Sequence, residues 1–190
     1  MKCNCKFLRR PWARVLVLTG FAMGIALLVP ALKAEEGGQT GRAVRLGFVE
    51  GQVQIFQDNQ MLADNALVNT PLFEGTQVVT SDEGRAEIQF EDGSVARLSP
   101  GTSLTLKVLR QRDGGNESEM VLEGGLAYFE LQAANSSDQM RVRFNDSVVM
   151  ASGFTVLRVN LDNPPGEVAV FSGNAHLERS NALALDLHGG

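Results

Sequence analysis

Beyond residue 34 this chain carries two histidines, His176 and His188, and no cysteine, which bounds the chemistry its side chains could perform. Covalent catalysis needs a nucleophile, a base in contact with it and a third group that orients the base. His176 lies in an alternating run, Gly173-Asn-Ala-His-Leu177, where an imidazole is most simply a surface or satisfied group. His188 stands beside the glycines 189 and 190 and is expected to lack fixed structure. The acidic pairs Asp82-Glu83 and Glu91-Asp92 could serve as acid and base or hold calcium, yet both occupy turns, where carboxylates are common because turns are solvated. No series of oxygen ligands at the spacing of a calcium loop surrounds them. The only tryptophan, Trp12, is outside this region, so sugar-binding platforms are scarce. The expectation is a non-enzymatic chain with no catalytic residue, no metal ligand and no cofactor.

The residues left for binding are cationic and aromatic. Arg141 and Arg143 share one face of a strand, Arg158 follows in a later strand, and Tyr128 is the only tyrosine. Such a group could take a carboxylate on a partner protein, and these four are the candidate partner-binding residues. Ion pairing with neighbouring Glu or Asp is the simpler use of the arginines. Phe90, Phe129, Phe144, Phe154 and Phe171 occupy strand positions that suit a core, and the run Val148-Val-Met-Ala151 reads as buried.

What must position these residues is set by the rest of the chain. Residues 1–34 hold Lys2, Lys6, Arg9, Arg10 and Arg14, then an apolar stretch from Val15 to Val29, then Ala31-Leu-Lys-Ala34. That is the pattern of an export signal, with an N-terminal signal helix cleaved after Ala34 or Ala31. An uncleaved membrane anchor is the alternative, since Val15 to Leu32 could span a bilayer at roughly 18 residues. Arg9-Arg10 resembles a twin-arginine pair only loosely, Pro11 following it. Both cysteines, Cys3 and Cys5, fall here, so no disulfide supports folding in an oxidising compartment. Past residue 34 there remain 11 basic and 22 acidic residues, a net charge of −11. Nucleic acid is a poor partner for such a surface, and membrane contact is expected only if the signal stays uncleaved. Asn116, Asn135 and Asn145 head glycosylation sequons that read as chance occurrences in polar loops.

Residues 35–43 are polar and are expected to form a disordered tether, residues 44–180 a β domain, and residues 181–190 a tail. From Val44 the chain reads as short strands separated by Gly, Asn, Asp and Pro, with no helical period. The clearest unit is Arg85-Ala-Glu-Ile-Gln-Phe90 and Val95-Ala-Arg-Leu98, joined through Asp92-Gly93 as a two-residue hairpin turn. A glycine followed by an alternating strand recurs at Gly51, Gly84, Gly93, Gly125, Gly166 and Gly173. The fold class is therefore all-β, either a short-stranded solenoid-like stack or a two-sheet sandwich built from hairpins. Residues 58–69 and 111–118 are expected to be loops, the second the more mobile, and Asn163-Pro-Pro-Gly166 a rigid turn.

Several of these runs carry a resemblance that periodicity does not supply. Val49-Glu-Gly-Gln-Val-Gln-Ile55, Gly75-Thr-Gln-Val-Val-Thr80, Gly84-Arg-Ala-Glu-Ile-Gln-Phe90, Asp92-Gly-Ser-Val-Ala-Arg-Leu98 and Thr102-Ser-Leu104 resemble the FecR-type periplasmic domain, and Leu122-Glu-Gly-Gly125 and Val170-Phe-Ser-Gly173 resemble its later strands. The resemblance runs from about Val44 to Glu178. It implies an all-β envelope domain, and the best-known relatives are iron-uptake regulators that relay a transporter's state to a sigma factor. Only about a dozen residues precede the apolar segment, too few for the cytoplasmic part of such a regulator. A stand-alone exported domain is thus expected, in the periplasm or secreted, recognising another envelope protein, with signalling as one use of that recognition. The alternative is a structural or polysaccharide-associated envelope protein. Oligomeric state is left open.

Overall fold

Alternation of apolar and polar residues builds the whole described structure, residues 42–112, 114–133, 137–180 and 182–190 of a computed structural model, and these residues contain strands but no α-helix. The export segment 1–34, most of the tether and the sequon at Asn135 lie outside them. Fourteen strands form: β1 (Val44–Glu50), β2 (Val53–Gln57), β3 (Gln60–Ala63), β4 (Pro71–Leu72), β5 (Thr76–Thr80), β6 (Arg85–Phe90), β7 (Val95–Leu98), β8 (Ser103–Arg112), β9 (Gly115–Gly124), β10 (Leu126–Gln132), β11 (Gln139–Phe144), β12 (Ser147–Asn160), β13 (Glu167–Arg179) and β14 (Leu185–His188). Twelve of them follow one hydrogen-bonded path, β3-β2-β5-β8-β9-β11-β12-β10-β7-β6-β1-β4, with β13 beside β12 and β14 beside β13. Every pairing is antiparallel except β9 with β11.

The sheet curls because β12 belongs to both of its halves. Residues 147–150 of β12 pair with β11, residues 154–160 pair with β10, and β13 follows along the other side of both segments. A strand that bends between two sheet segments is a recognised way to turn a corner, and Gly153 (φ 76°) and Gly173 (φ 80°) sit at this bend. A Cβ on Gly173 would fall 2.1 Å from the Phe154 carbonyl oxygen.

At the opposite end of the strands the chain crosses repeatedly between the halves, and the crossings bond to one another. Ser81 N donates to Gln52 O (3.0 Å), Gly101 N to Ser81 O (2.9 Å), Ser99 N to Leu126 O (3.0 Å) and Leu161 N to Gly125 O (2.8 Å). Thr80 and Thr102 are buried within this stack, and the Thr80 hydroxyl donates to Ser99 O (2.7 Å) while accepting from Thr102 N (2.9 Å). These bonds satisfy backbone groups that a corner would otherwise leave buried and unpaired. The remaining seam is bridged by residues 64–70, where Ala66 N donates to Val53 O on β2 (2.8 Å) and Asn69 N to Leu46 O on β1 (2.8 Å).

Inside lies one apolar cluster that includes Leu46, Val53, Ile88, Leu104, Leu106, Met120, Phe129, Leu131, Val142 and Leu157. Burying each large side chain contributes about 1.5–3 kcal/mol, so alternation in sequence becomes a single core in space.

Several local expectations change. The Asp92-Gly93 connection is a three-residue loop: Phe90 N donates to Ser94 O (3.0 Å), Gly93 N donates to Phe90 O (3.1 Å), and only Gly93 takes positive φ (85°). The true two-residue turn with two left-handed residues is Asp58-Asn59 (φ 50° and 64°), which places β3 inside the expected loop 58–69. Residues 111–118 hold the ends of the β8–β9 hairpin rather than a long loop. His188 belongs to β14, facing Asn174 on β13, and its Nδ1 lies 2.7 Å from Asn174 Oδ1. Along Val148–Ala151 only Val149 is fully buried.

Arg42, at the margin of the expected tether, is buried. Its Nε meets Glu91 Oε1 at 2.5 Å and its Nη2 meets Asp92 Oδ2 at 2.6 Å, both on the β6–β7 loop. Its Nη1 donates to the Ser118 hydroxyl of β9 and lies 3.7 Å from the Met140 sulfur of β11. The guanidinium also sits over the Phe90 ring, 5.6 Å from its centroid. One side chain thereby ties the two halves together at the end remote from the stacked crossings.

Candidate protein-binding face

Cross-strand register assembles a row of side chains on the outer face of β6, β7, β10 and β12. Glu87 faces Arg97, Arg97 faces Tyr128, and Tyr128 faces Arg158. Arg97 Nε bonds Glu87 (2.9 Å) and Nη1 bonds Glu130 (2.5 Å), and the Glu130 hydrogen bond holds its guanidinium above its ordinary pKa. Arg158 Nη2 reaches Glu167 at 3.1 Å, while its buried Nε has no hydrogen-bond partner among the described residues. Each arginine of this row is fixed by a carboxylate of the same sheet.

Aromatic rings occupy the space these ion pairs border. Tyr128 stacks on Phe171, ring centroids 6.4 Å apart and planes 19° apart. Phe171 and Phe154 are 51% and 50% exposed, which corrects the expectation that both belong to the core. Phe171 is outside by alternation: Val168 and Val170 pack against the core, and Ala169 faces Arg158 on the outer side. It is also the extra residue of a β-bulge, since Val156 pairs with Ser172 and Leu157 with Val170, so it has no opposite residue. Phe154 likewise shares the face of Arg158 on β12, opposite to buried Thr155, Leu157 and Val159, so both parities were readable. Exposed aromatic groups ringed by arginine and carboxylate have the composition of a protein interface: an apolar anchor with a polar rim.

Arg141 and Arg143 do not join this face. They project from β11 on the other half of the sheet, where Arg141 pairs with Glu117 (3.2 Å) and Glu119 (4.0 Å) and Arg143 with Glu119 (3.0 Å). The four candidate residues therefore divide two and two, and the ion-pair reading of the arginines describes their geometry.

Two other places hold polar chemistry. His176 Nδ1 lies 2.8 Å from Asp186 Oδ1 and its Nε2 lies 3.7 Å from Glu178, so both ring nitrogens face carboxylates. The His176 hydrogen bond holds the Asp186 carboxyl below its ordinary pKa. On the outer face of β5, β8 and β9 an open groove of about 450 Å³ is bordered by Phe56, Gln77, Thr105, Lys107 and Glu123. There the Glu123 carboxylate accepts from Gln77, Ser103 (2.8 Å) and Thr105 (3.0 Å). Among the described residues no group of three or more His, Cys, Asp or Glu side chains could hold a metal ion.

Comparison with known proteins adds the following. The family described as "FecR protein" matches residues 76–176. Two crystal structures of one protein from Parabacteroides distasonis, at 1.65 and 2.50 Å and each described as a "putative anti-sigma factor", superpose with a TM-score of 0.50 at 18% identity. The likeness covers 60% of this chain and 51% of that one, so the match spans about half the length of its structural neighbour and is a likeness of fold. No curated protein matches the chain.

Proposed function

Because this chain belongs to the FecR family, we propose that it is a non-enzymatic recognition module that binds another protein of the cell envelope and acts in signalling. Residues 1–34 direct its export to the periplasm or beyond in this reading. The observation that carries it is the exposed Tyr128–Phe171–Phe154 face with its Arg97 and Arg158 rim. The arginines are already neutralised by their own sheet, so the docking energy falls to the rings. Truncating a central interface aromatic costs about 2 kcal/mol or more, roughly 30-fold in affinity. The description of the structural neighbour as an anti-sigma factor supports a regulatory role.

The test is cross-linking of the tagged chain in its native cells, with wild type and Phe171→Ala compared by mass spectrometry. Capture of one dominant envelope protein by wild type and its loss in the variant supports the reading. Equal capture by both contradicts it.

A second reading, attachment to envelope polysaccharide, is favoured by the polar groove bordered by Phe56, Gln77, Thr105 and Glu123. Retention on isolated cell-wall material that Phe171→Ala leaves unchanged and Glu123→Ala abolishes would move the assignment there.

A further inference from the structure

We propose that β14 is a self-pairing edge, through which two copies of this chain join antiparallel about a two-fold axis at Leu187. The long strand path ends at β3 and β4, and residues 64–70 bridge the seam between those ends. The branch through β13 has no such closure: among the described residues β14 pairs with β13 alone, and its other side is open. An open edge invites another strand unless a bulge, a proline or a lysine blunts it. The stretch of β13 that β14 leaves uncovered has the bulge at Phe171. By contrast β14, Leu185-Asp-Leu-His188, pairs without a register shift and has none of the three.

Ladder parity decides which backbone groups are free. Gly189 N donates to Gly173 O (3.0 Å), one step beyond the pairing of His188 with Asn174. Hydrogen-bonded and non-hydrogen-bonded pairs alternate, so Leu185 and Leu187 turn their N–H and C=O groups to β13, while Asp186 and His188 turn theirs to the open edge. Charge then selects the register of a second β14. Centring on Asp186 sets carboxylate against carboxylate, and centring on His188 sets imidazole against imidazole. Centring on Leu187 sets Asp186 of each copy opposite His188 of the other, and each such pair exchanges both N–H···O bonds. The side chains suit that register. Asp186 Oδ1 meets His176 at 2.8 Å and His188 Nδ1 meets Asn174 at 2.7 Å, which leaves Asp186 Oδ2 and His188 Nε2 without a partner among the described residues. On the other face Leu187 packs toward the core and meets its own mate, and Leu185, 55% exposed, gains cover from the added strand. A ladder this short buries well under the roughly 800 Å² per partner of a stable complex, so the dimer is weak and reversible. The pairing holds whichever face binds an envelope partner.

The experiment is disulfide trapping in native cells, with the full chain in a Cys3→Ser/Cys5→Ser background and copper–phenanthroline as oxidant. Leu187→Cys should yield a disulfide-linked homodimer. Leu185→Cys should not, although its position is the more exposed of the two. In this register the two copies of residue 185 lie about 13 Å apart along the ladder, and a disulfide needs Cα atoms within about 7 Å. Adding His188→Asp to Leu187→Cys sets carboxylates opposite one another and should cut the dimer yield roughly 10-fold. Equal trapping at both positions, none at Leu187→Cys, or a yield that His188→Asp leaves unchanged would overturn the proposal. Because Leu187 touches the core, sedimentation of the unmodified chain purified from the same cells supplies the second measurement. It should show a monomer–dimer equilibrium between about 10 µM and 1 mM, shifted to monomer in His188→Asp. A monomer throughout that range, or a dimer that His188→Asp leaves intact, would refute the pairing.

Discussion

Arg42 and Arg97 are the same residue in the same kind of company, each gripped by two carboxylates, yet one is sealed inside the end of the sheet and the other lies on its outer face, 45% exposed. The difference is desolvation. A buried guanidinium that loses its partners, or the shielded Asp92 carboxylate that loses the guanidinium, is poorly rescued by water, so the pair behaves as a structural joint. On the outer face water competes for both partners, and the pair contributes little to stability while fixing side chains around the exposed rings. The buried cation holds the fold; the exposed ones frame the Tyr128 and Phe171 rings.

The largest test of this contrast is Arg42→Ala, which should destabilise the chain by about 3 kcal/mol in urea unfolding; a loss under about 1 kcal/mol would place Arg42 with the surface arginines. Adding Asp92→Asn, which keeps the acceptor for Ser94 N, should recover part of that loss by removing the more shielded orphaned carboxylate. Next comes Phe171→Ala, expected to weaken partner capture roughly 30-fold. It should cost less than about 1.5 kcal/mol of stability, the value of the lost stack with Tyr128. Arg97→Gln should change the unfolding free energy by about 0.2–1 kcal/mol, and less at high salt.

The smallest effect is a pH dependence. Glu74 accepts from Leu109 N (3.0 Å) and pairs with Arg110, which together hold its carboxyl below its ordinary value of 4.5. A depressed folded-state pKa adds stability above the unfolded value that is lost as pH falls through the lower folded one. Glu74→Gln should thus lower the unfolding midpoint by a constant amount near neutrality, and the gap to wild type should close as pH falls below about 4.5. A gap that widens in acid would contradict the assignment.

Much of the fold was legible in the sequence because burial in a sheet has period two. Ala86, Ile88 and Phe90 alternate with Arg85, Glu87 and Gln89 in the sequence and are buried in alternation in the structure. Failures came where geometry departs from that period. The β12 and β13 strands each run unbroken through a bend, and a bulge beside it leaves Phe171 without an opposite residue. Asp58-Asn59 makes the tight turn that Asp92-Gly93 was expected to make, because Asn and Asp also tolerate left-handed backbone. Of the four residues expected to meet a partner, Tyr128 and Arg158 face each other across β10 and β12, whereas Arg141 and Arg143 belong to β11 on the other half of the sheet, a separation that only the strand order reveals. Arg42 gave no local signal, since its partners are 49 to 98 residues away.

The most direct test of the recognition face is photo-cross-linking in living cells from a benzophenone side chain placed at position 171 or at position 105 on the other half of the sheet. The account predicts one discrete protein adduct from position 171 and none from position 105. Adducts from position 105 alone, or from neither position, would contradict it.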